Sequence, residues 1–268
     1  MAADYGKRRW EIFTGGQLKL IGAALMVFDH LRQMFSAHGA PEWFYWLGRP
    51  AAPLFAFLCA EGFAHTHSRG KYTLRLLIGF EFMNAASNLL ARAFPSHSVV
   101  LLNNIFETFL LAVVYMWLTD KLRREIAEKN YRKAFLSALL MLLAAAAGIA
   151  AFNLLLDPAA LPSVPLWLKI LLLRAIPNLA VTEGGFVFVL MTVLFYLFRA
   201  HRPWQILTLL LTGALCFCLG AEAQALMSFA AVFMLLYNGE RGKAGKYFFY
   251  IFYPAHIYLF YLAAWYAK

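Results

Sequence analysis

An aspartate followed directly by a histidine, Asp29–His30, stands near the middle of an apolar run that opens at Leu18. A carboxylate at the centre of a bilayer costs about 2.5–3.5 kcal/mol on insertion scales, so such a residue faces the interior of a helix bundle and often marks a functional path. A buried acid beside a buried base suits proton transfer. On a helix Gln33 shares a face with both residues. A second histidine, His256, follows Tyr253 and Pro254 in the last apolar run. Between these ends, Glu81, Asn84, Asn88 and Arg92 form a stripe spaced by three and four, and Asn103 and Glu107 are four apart. Glu222 and Gln224 begin a later apolar run, Glu183 precedes another, and Arg49 and Glu61 also border or interrupt apolar sequence. The expectation is a polar cavity lined by Gln33, Arg49, Glu61, Glu81, Asn84, Asn88, Asn103, Glu107, Glu183, Glu222 and Tyr253, narrowest at the carboxylates and imidazoles. Plainer readings stand beside it. Asparagine stripes also bond neighbouring helices, Arg49 could snorkel to the interface, and His65, His67, His97 and His201 lie in or near solvated loops.

The elements that must hold these residues are transmembrane helices. Of 268 residues, 62% are hydrophobic and 14% charged. Soluble domains have about 45–50% apolar and 25% charged residues, so lipid must solvate much of this chain. Cys59, Cys216 and Cys218 all lie in apolar runs, which excludes a disulfide scaffold and gives no zinc spacing; no metal is expected. The net charge of +10 is read as loop retention on the cytoplasmic side rather than nucleic-acid binding. No cleavable signal peptide is expected, because the first apolar run is long enough to span.

A span needs about 20 apolar residues. Candidates run over 17–38, 50–66, 72–93, 99–118, 134–156, 184–198, 204–219, 222–237 and 246–265. The stretch 166–180 is apolar but holds Lys169, Arg174 and Pro177, and reads as interfacial or re-entrant. With this alternation, eighteen of the 24 basic residues fall on one side, and the positive-inside rule makes that side cytoplasmic. The expected fold is all-α: one integral-membrane domain over 1–268, about nine spans, N-terminus cytoplasmic.

The chain also resembles a known family. The first span reads LKLIGAALMVFDHL, the second LGRPAAPLFAFLCAEGFAHT followed by KYTLRLL, and the end YNGERGKAGKYFFYIFYPAHIYLFYL. These are similar to the Asp-His opening, the Gly-Arg and Glu-Gly-Phe block, and the Tyr-Asn-Gly-Glu-Arg-Gly and Tyr-Pro-x-His signature of the TraX family. The middle match, TEGGFVFVLMTVLFYLFR, is weaker. The resemblance implies acyl transfer, with acetyl-CoA as donor, in a multi-pass protein of the bacterial inner membrane. The family's named member acetylates the N-terminus of conjugative F-type pilin. An envelope glycan is the other acceptor class it implies, and no nucleic acid is expected as a partner. Positions matching the family are Asp29, His30, Arg49, Glu61, Arg75, Asn238, Glu240, Arg241, Tyr253 and His256.

The mechanism expected on this basis uses His30 as general base with Asp29 orienting or charging the imidazole. His256 stands as an alternative base or oxyanion stabiliser, and a covalent acetyl-histidine is a further variant. Arg69, Lys71, Arg75, Arg241, Lys243 and Lys246, on loops placed inside by charge, are expected to bind the donor's phosphates. Two other classes of function compete. A proton-coupled transporter could use the same buried groups as a relay, although no matching halves are visible. A scaffold for pilus or envelope assembly would need no midplane acid–base pair.

Overall fold

The computed structural model describes residues 10–96, 99–101, 104–157, 159–179, 182–243, 245 and 247–267. Among them the regular structure is helical throughout, joined by one isolated bridge between Phe13 and Tyr237. The helices are α1 (Gly15–Met34), α2 (Trp43–Gly48), α3 (Ala51–Ala64), α4 (Arg69–Ala93), α5 (Ile105–Ala127), α6 (Tyr131–Leu156), α7 (Leu166–Ala175), α8 (Gly185–Leu197), α9 (Arg202–Cys218), α10 (Glu222–Ala225), α11 (Ala230–Leu235) and α12 (Phe248–Tyr266). Two of them, α6 and α12, are long and apolar enough to cross a membrane. Shorter apolar helices cover Gly185–Leu197, Arg202–Cys218 and Glu222–Leu235.

Several spans read from hydropathy have different limits in the structure. The fourth begins at Ile105 rather than 99 and continues to Ala127, because the charged segment after Asp120 extends the helix into a polar end. The eighth is broken into α10, a 3-10 turn over Leu226–Phe229, and α11. The stretch 166–180 contains the ten-residue α7, whose Lys169 is buried and donates from Nζ to the Asp157 carbonyl at 3.2 Å.

The chain divides into two compact units. The first comprises Met1–His65, Ser87–Leu102 and Leu194–Lys268. In it α1 packs against α2, α3 and α12, while α11 packs against α3 and α9. The start of α1 is held by its own capping box, in which Thr14 accepts from Gln17 N–H, and by the loop before α12. Gly15 and Gly16 donate their N–H groups to the carbonyls of Glu240 and Arg241 at 2.7 and 2.9 Å. Helix starts leave such donors unpaired, so the Asn-Gly-Glu-Arg-Gly loop serves as a backbone cap.

The second unit comprises Thr66–Ala86 and Asn103–Val193. Its centre is the α5–α6 hairpin, closed at Lys129 in the left-handed region with φ 57°. Glu125 accepts from Ser137 Oγ at 2.6 Å across the hairpin. The segment after α7 is tied in by backbone and side-chain bonds: Asn178 N–H donates to Glu107 Oε1 at 2.9 Å, Asn178 Nδ2 to the Gly148 carbonyl at 2.6 Å, and the Thr108 and Thr182 hydroxyls bond at 2.7 Å.

Candidate functional site

His30 lies in the last turns of α1 and His256 in the middle of α12, two helices of the first unit that pack together. Both are buried, at 2% and 5% exposure, so little water competes for their ring nitrogens. His30 Nδ1 is 2.6 Å from His256 Nε2, and His256 Nδ1 is 2.7 Å from the Phe252 carbonyl. Aromatic rings surround the pair. Phe252 stacks on His256 with centroids 4.8 Å apart, Phe260 meets its edge, and Tyr253 stands edge-on to both imidazoles. Pro254, buried in the same helix, removes one backbone hydrogen bond from α12.

Asp29 points elsewhere. Successive helix residues are about 100° apart around the axis, so neighbours in sequence do not share a face. The Asp29 carboxylate pairs with Arg49 rather than with His30. Arg49 Nη1 donates to Gln224 Oε1 at 2.7 Å, its guanidinium lies 4.0 Å over the Tyr45 ring, and its Nε is buried without a hydrogen-bond partner among the described residues. The Gly-Arg step that brings Arg49 here has a steric basis. A Cβ on Gly48 would stand 2.7 Å from Asp29 Cα, so only glycine lets α2 approach α1 this closely. Gln224 stands out in the sequence only as a polar residue at the start of the eighth candidate span, and Tyr45 was not singled out. The adjacent glycine and arginine just before the second span were the other sequence signal.

The other expected residues divide between the two units. In the first, Gln33 and Glu222 are exposed and Glu61 is half-buried. Tyr253 is buried beside the imidazoles, and Asn88 belongs to the same unit. Arg202 is near the Glu61 end of the unit, its guanidinium 4.5 Å over Phe57 and 5.0 Å over Tyr237. In the second unit Glu81 is exposed, while Glu107 is buried and engaged by Asn178. Glu183 accepts from Thr108 Oγ1 through its carbonyl at 2.7 Å. Asn84 donates to the Arg174 carbonyl and accepts from Asn104 Nδ2 at 3.1 Å, so it acts as a helix-bonding asparagine. Asn103 lies outside the described residues.

Of the expected donor-binding cations, Arg69 is paired with Asp120 at 2.6 Å, Lys71 is exposed, and Arg75 lies 5.8 Å over Tyr72. These three belong to the second unit. Arg241 and Lys243 are exposed on the capping loop of the first unit, and Lys246 lies outside the described residues.

With two helices able to cross a bilayer, this is a helical membrane protein that carries a buried pair of imidazoles. The chain belongs to the TraX family: the family model described as TraX protein matches residues 14–264. It is also similar to the probable fimbrial assembly protein FimC, serogroup H1, of Dichelobacter nodosus, with 25% identity over 263 residues, 91% of this chain and 93% of that one. No solved structure matches.

Proposed function

We propose that this chain is an acetyltransferase of the bacterial inner membrane that moves an acetyl group from acetyl-CoA to a pilin or fimbrial subunit. The observation that carries the reading is the buried His30–His256 pair with Arg49 fixed beside the preceding residue, Asp29. Family membership and the relative's name, a fimbrial assembly protein, favour a pilus-related acceptor over an envelope glycan.

In the proposed reaction His30 takes a proton from the acceptor amine as its nitrogen attacks the thioester carbonyl carbon. The carbon–sulfur bond breaks, and the coenzyme A thiolate leaves with the proton returned by His30. The amide is the product. Arg49 supplies a fixed positive charge near the carbonyl oxygen as negative charge develops there. The exposed Arg241 and Lys243, on the capping loop of the first unit, are assigned to the donor's phosphates. The reading includes about nine spans with a cytoplasmic N-terminus, which puts this loop on the acetyl-CoA side.

The test is transfer from labelled acetyl-CoA in membranes carrying the parent or His30→Ala. Loss of the general base lowers turnover by about 10²–10⁴-fold with donor affinity little changed. Transfer by His30→Ala at the parental rate would make the imidazole pair a helix-packing contact. Label appearing in glycan rather than pilin would replace the acceptor.

A further inference from the structure

The hydrogen bonds that hold His30 also decide which of its nitrogens carries the proton. A carbonyl oxygen can only accept, so His256 Nδ1, 2.7 Å from the Phe252 carbonyl, carries a hydrogen. Neither imidazole bonds a carboxylate among the described residues, and the nearest one in sequence, Asp29, is occupied by Arg49. A charge on either ring would be buried without a counter-ion, so the resting pair is neutral. A neutral imidazole has one N–H. His256 Nε2 is therefore an acceptor, and His30 Nδ1, 2.6 Å away, is the donor.

We infer that His256 is a positioning residue that fixes His30 as its Nδ1–H tautomer, which leaves the lone pair on His30 Nε2 as the proton-accepting face. The inference rests on the acyl-transfer reading for what that face does, and on hydrogen-bond geometry alone for which face it is. His256 thus takes the part that a carboxylate takes in a catalytic triad, with the Phe252 carbonyl fixing His256 in turn.

The arrangement accounts for proton movement without a buried carboxylate. When His30 Nε2 accepts the acceptor's proton, the Nδ1–H of the resulting imidazolium faces His256 Nε2 along a 2.6 Å bond. That proton can shift to His256, whose Nδ1–H keeps its bond to the Phe252 carbonyl. The charge then rests on the His256 ring, which is stacked on Phe252 at 4.8 Å, and His30 is left neutral with its hydrogen on Nε2. On return, the same proton moves back and His30 Nε2 gives its hydrogen to the leaving thiolate. No atom is gained or lost in the cycle.

The experiment uses the full chain in lipid nanodiscs with ¹⁵N-labelled histidine. His30 signals are assigned by difference from His30→Gln, and neutral rings are observed at alkaline pH. In the parent, His30 Nε2 is expected to give the pyridine-type signal and Nδ1 the pyrrole-type. His256→Gln keeps an acceptor oxygen near the Nε2 position and is expected to keep this pattern. His256→Leu is expected to mix the tautomers of His30. Acetyl transfer should fall by about 10²-fold or more in His256→Leu at an unchanged KM for acetyl-CoA. His256→Gln should recover all but about tenfold of the parental rate. A lone pair on His30 Nδ1 in the parent overturns the inference, as does parental turnover by His256→Leu. If His256→Leu does not fold, the parent spectrum and the Gln variant still decide. The expected tautomer together with no acetyl transfer in parental membranes would sink the acetyltransferase reading and leave the His256 assignment standing.

Discussion

At the scale of single residues, the site depends on which neighbour each charged or titratable group finds. Asp29 and Arg49 form a partly buried ion pair whose second anchor is Gln224. Removing one member of such a pair leaves the other short of a partner, which is more damaging than removing both. Asp29→Asn and Arg49→Gln should each lower the melting midpoint in detergent. The double variant should lose less than the sum, by a coupling of about 0.5–3 kcal/mol. Asp29→Asn should also lower acetyl transfer, acting through the position of Arg49. Additive losses would show that the two side chains act independently.

At the scale of elements, each unit has a joint that ties a loop to its helices. In the first unit the loop Asn238–Gly242 caps α1 with two carbonyls, and Gly242 makes the approach possible. It has φ +70°, and a Cβ there would meet Thr14 Cβ at 2.8 Å. Gly242→Ala therefore carries both backbone strain, of order 1–3 kcal/mol, and a clash with the cap. The expected outcome is faster amide exchange at Gly15 and Gly16 and a lower melting midpoint; unchanged exchange would remove the capping role. In the second unit Glu107 holds the segment after α7 through the Asn178 N–H. Glu107→Gln keeps an acceptor oxygen and should be nearly neutral for stability. Glu107→Leu leaves that N–H unsatisfied and should cost about 1–3 kcal/mol, measured by thermal unfolding in detergent. Equal stability of the two variants would mean that this bond does not anchor the segment.

At the scale of the whole molecule, orientation and donor binding are the properties to measure. Reporter fusions after Arg69, Lys133 and Lys243 should all report cytoplasm, since most of the basic residues lie on that side of the nine-span reading. A periplasmic signal at any of the three would break that reading. Acetyl-CoA should protect the purified protein against heat, by about 2.7 kcal/mol at a hundredfold excess over Kd. A transporter has no reason to respond to the thioester, so an unchanged melt with substrate-driven proton flux would favour that class.

The helical class and most helix positions were legible in sequence, because apolar runs of spanning length leave the backbone few ways to satisfy its hydrogen bonds without water. Hydropathy did not reveal the break between α10 and α11, since the 3-10 turn Leu226–Phe229 is itself largely apolar and runs on into the apolar α11. Nor did it show that the Asn-Gly-Glu-Arg-Gly loop works through its backbone carbonyls, because side-chain types carry no record of main-chain bonds. At the site, the sequence by itself marked Asp29, His30 and His256 as out of place in lipid and in need of partners, and left Arg49 open between the site and the interface. Adjacency pointed to an Asp29–His30 pair. Only the tertiary structure decided otherwise: the rotation of about 100° per residue sends consecutive side chains to different helices. Asp29 thus meets Arg49 across the gap that Gly48 leaves open, and His30 meets His256, 226 positions away.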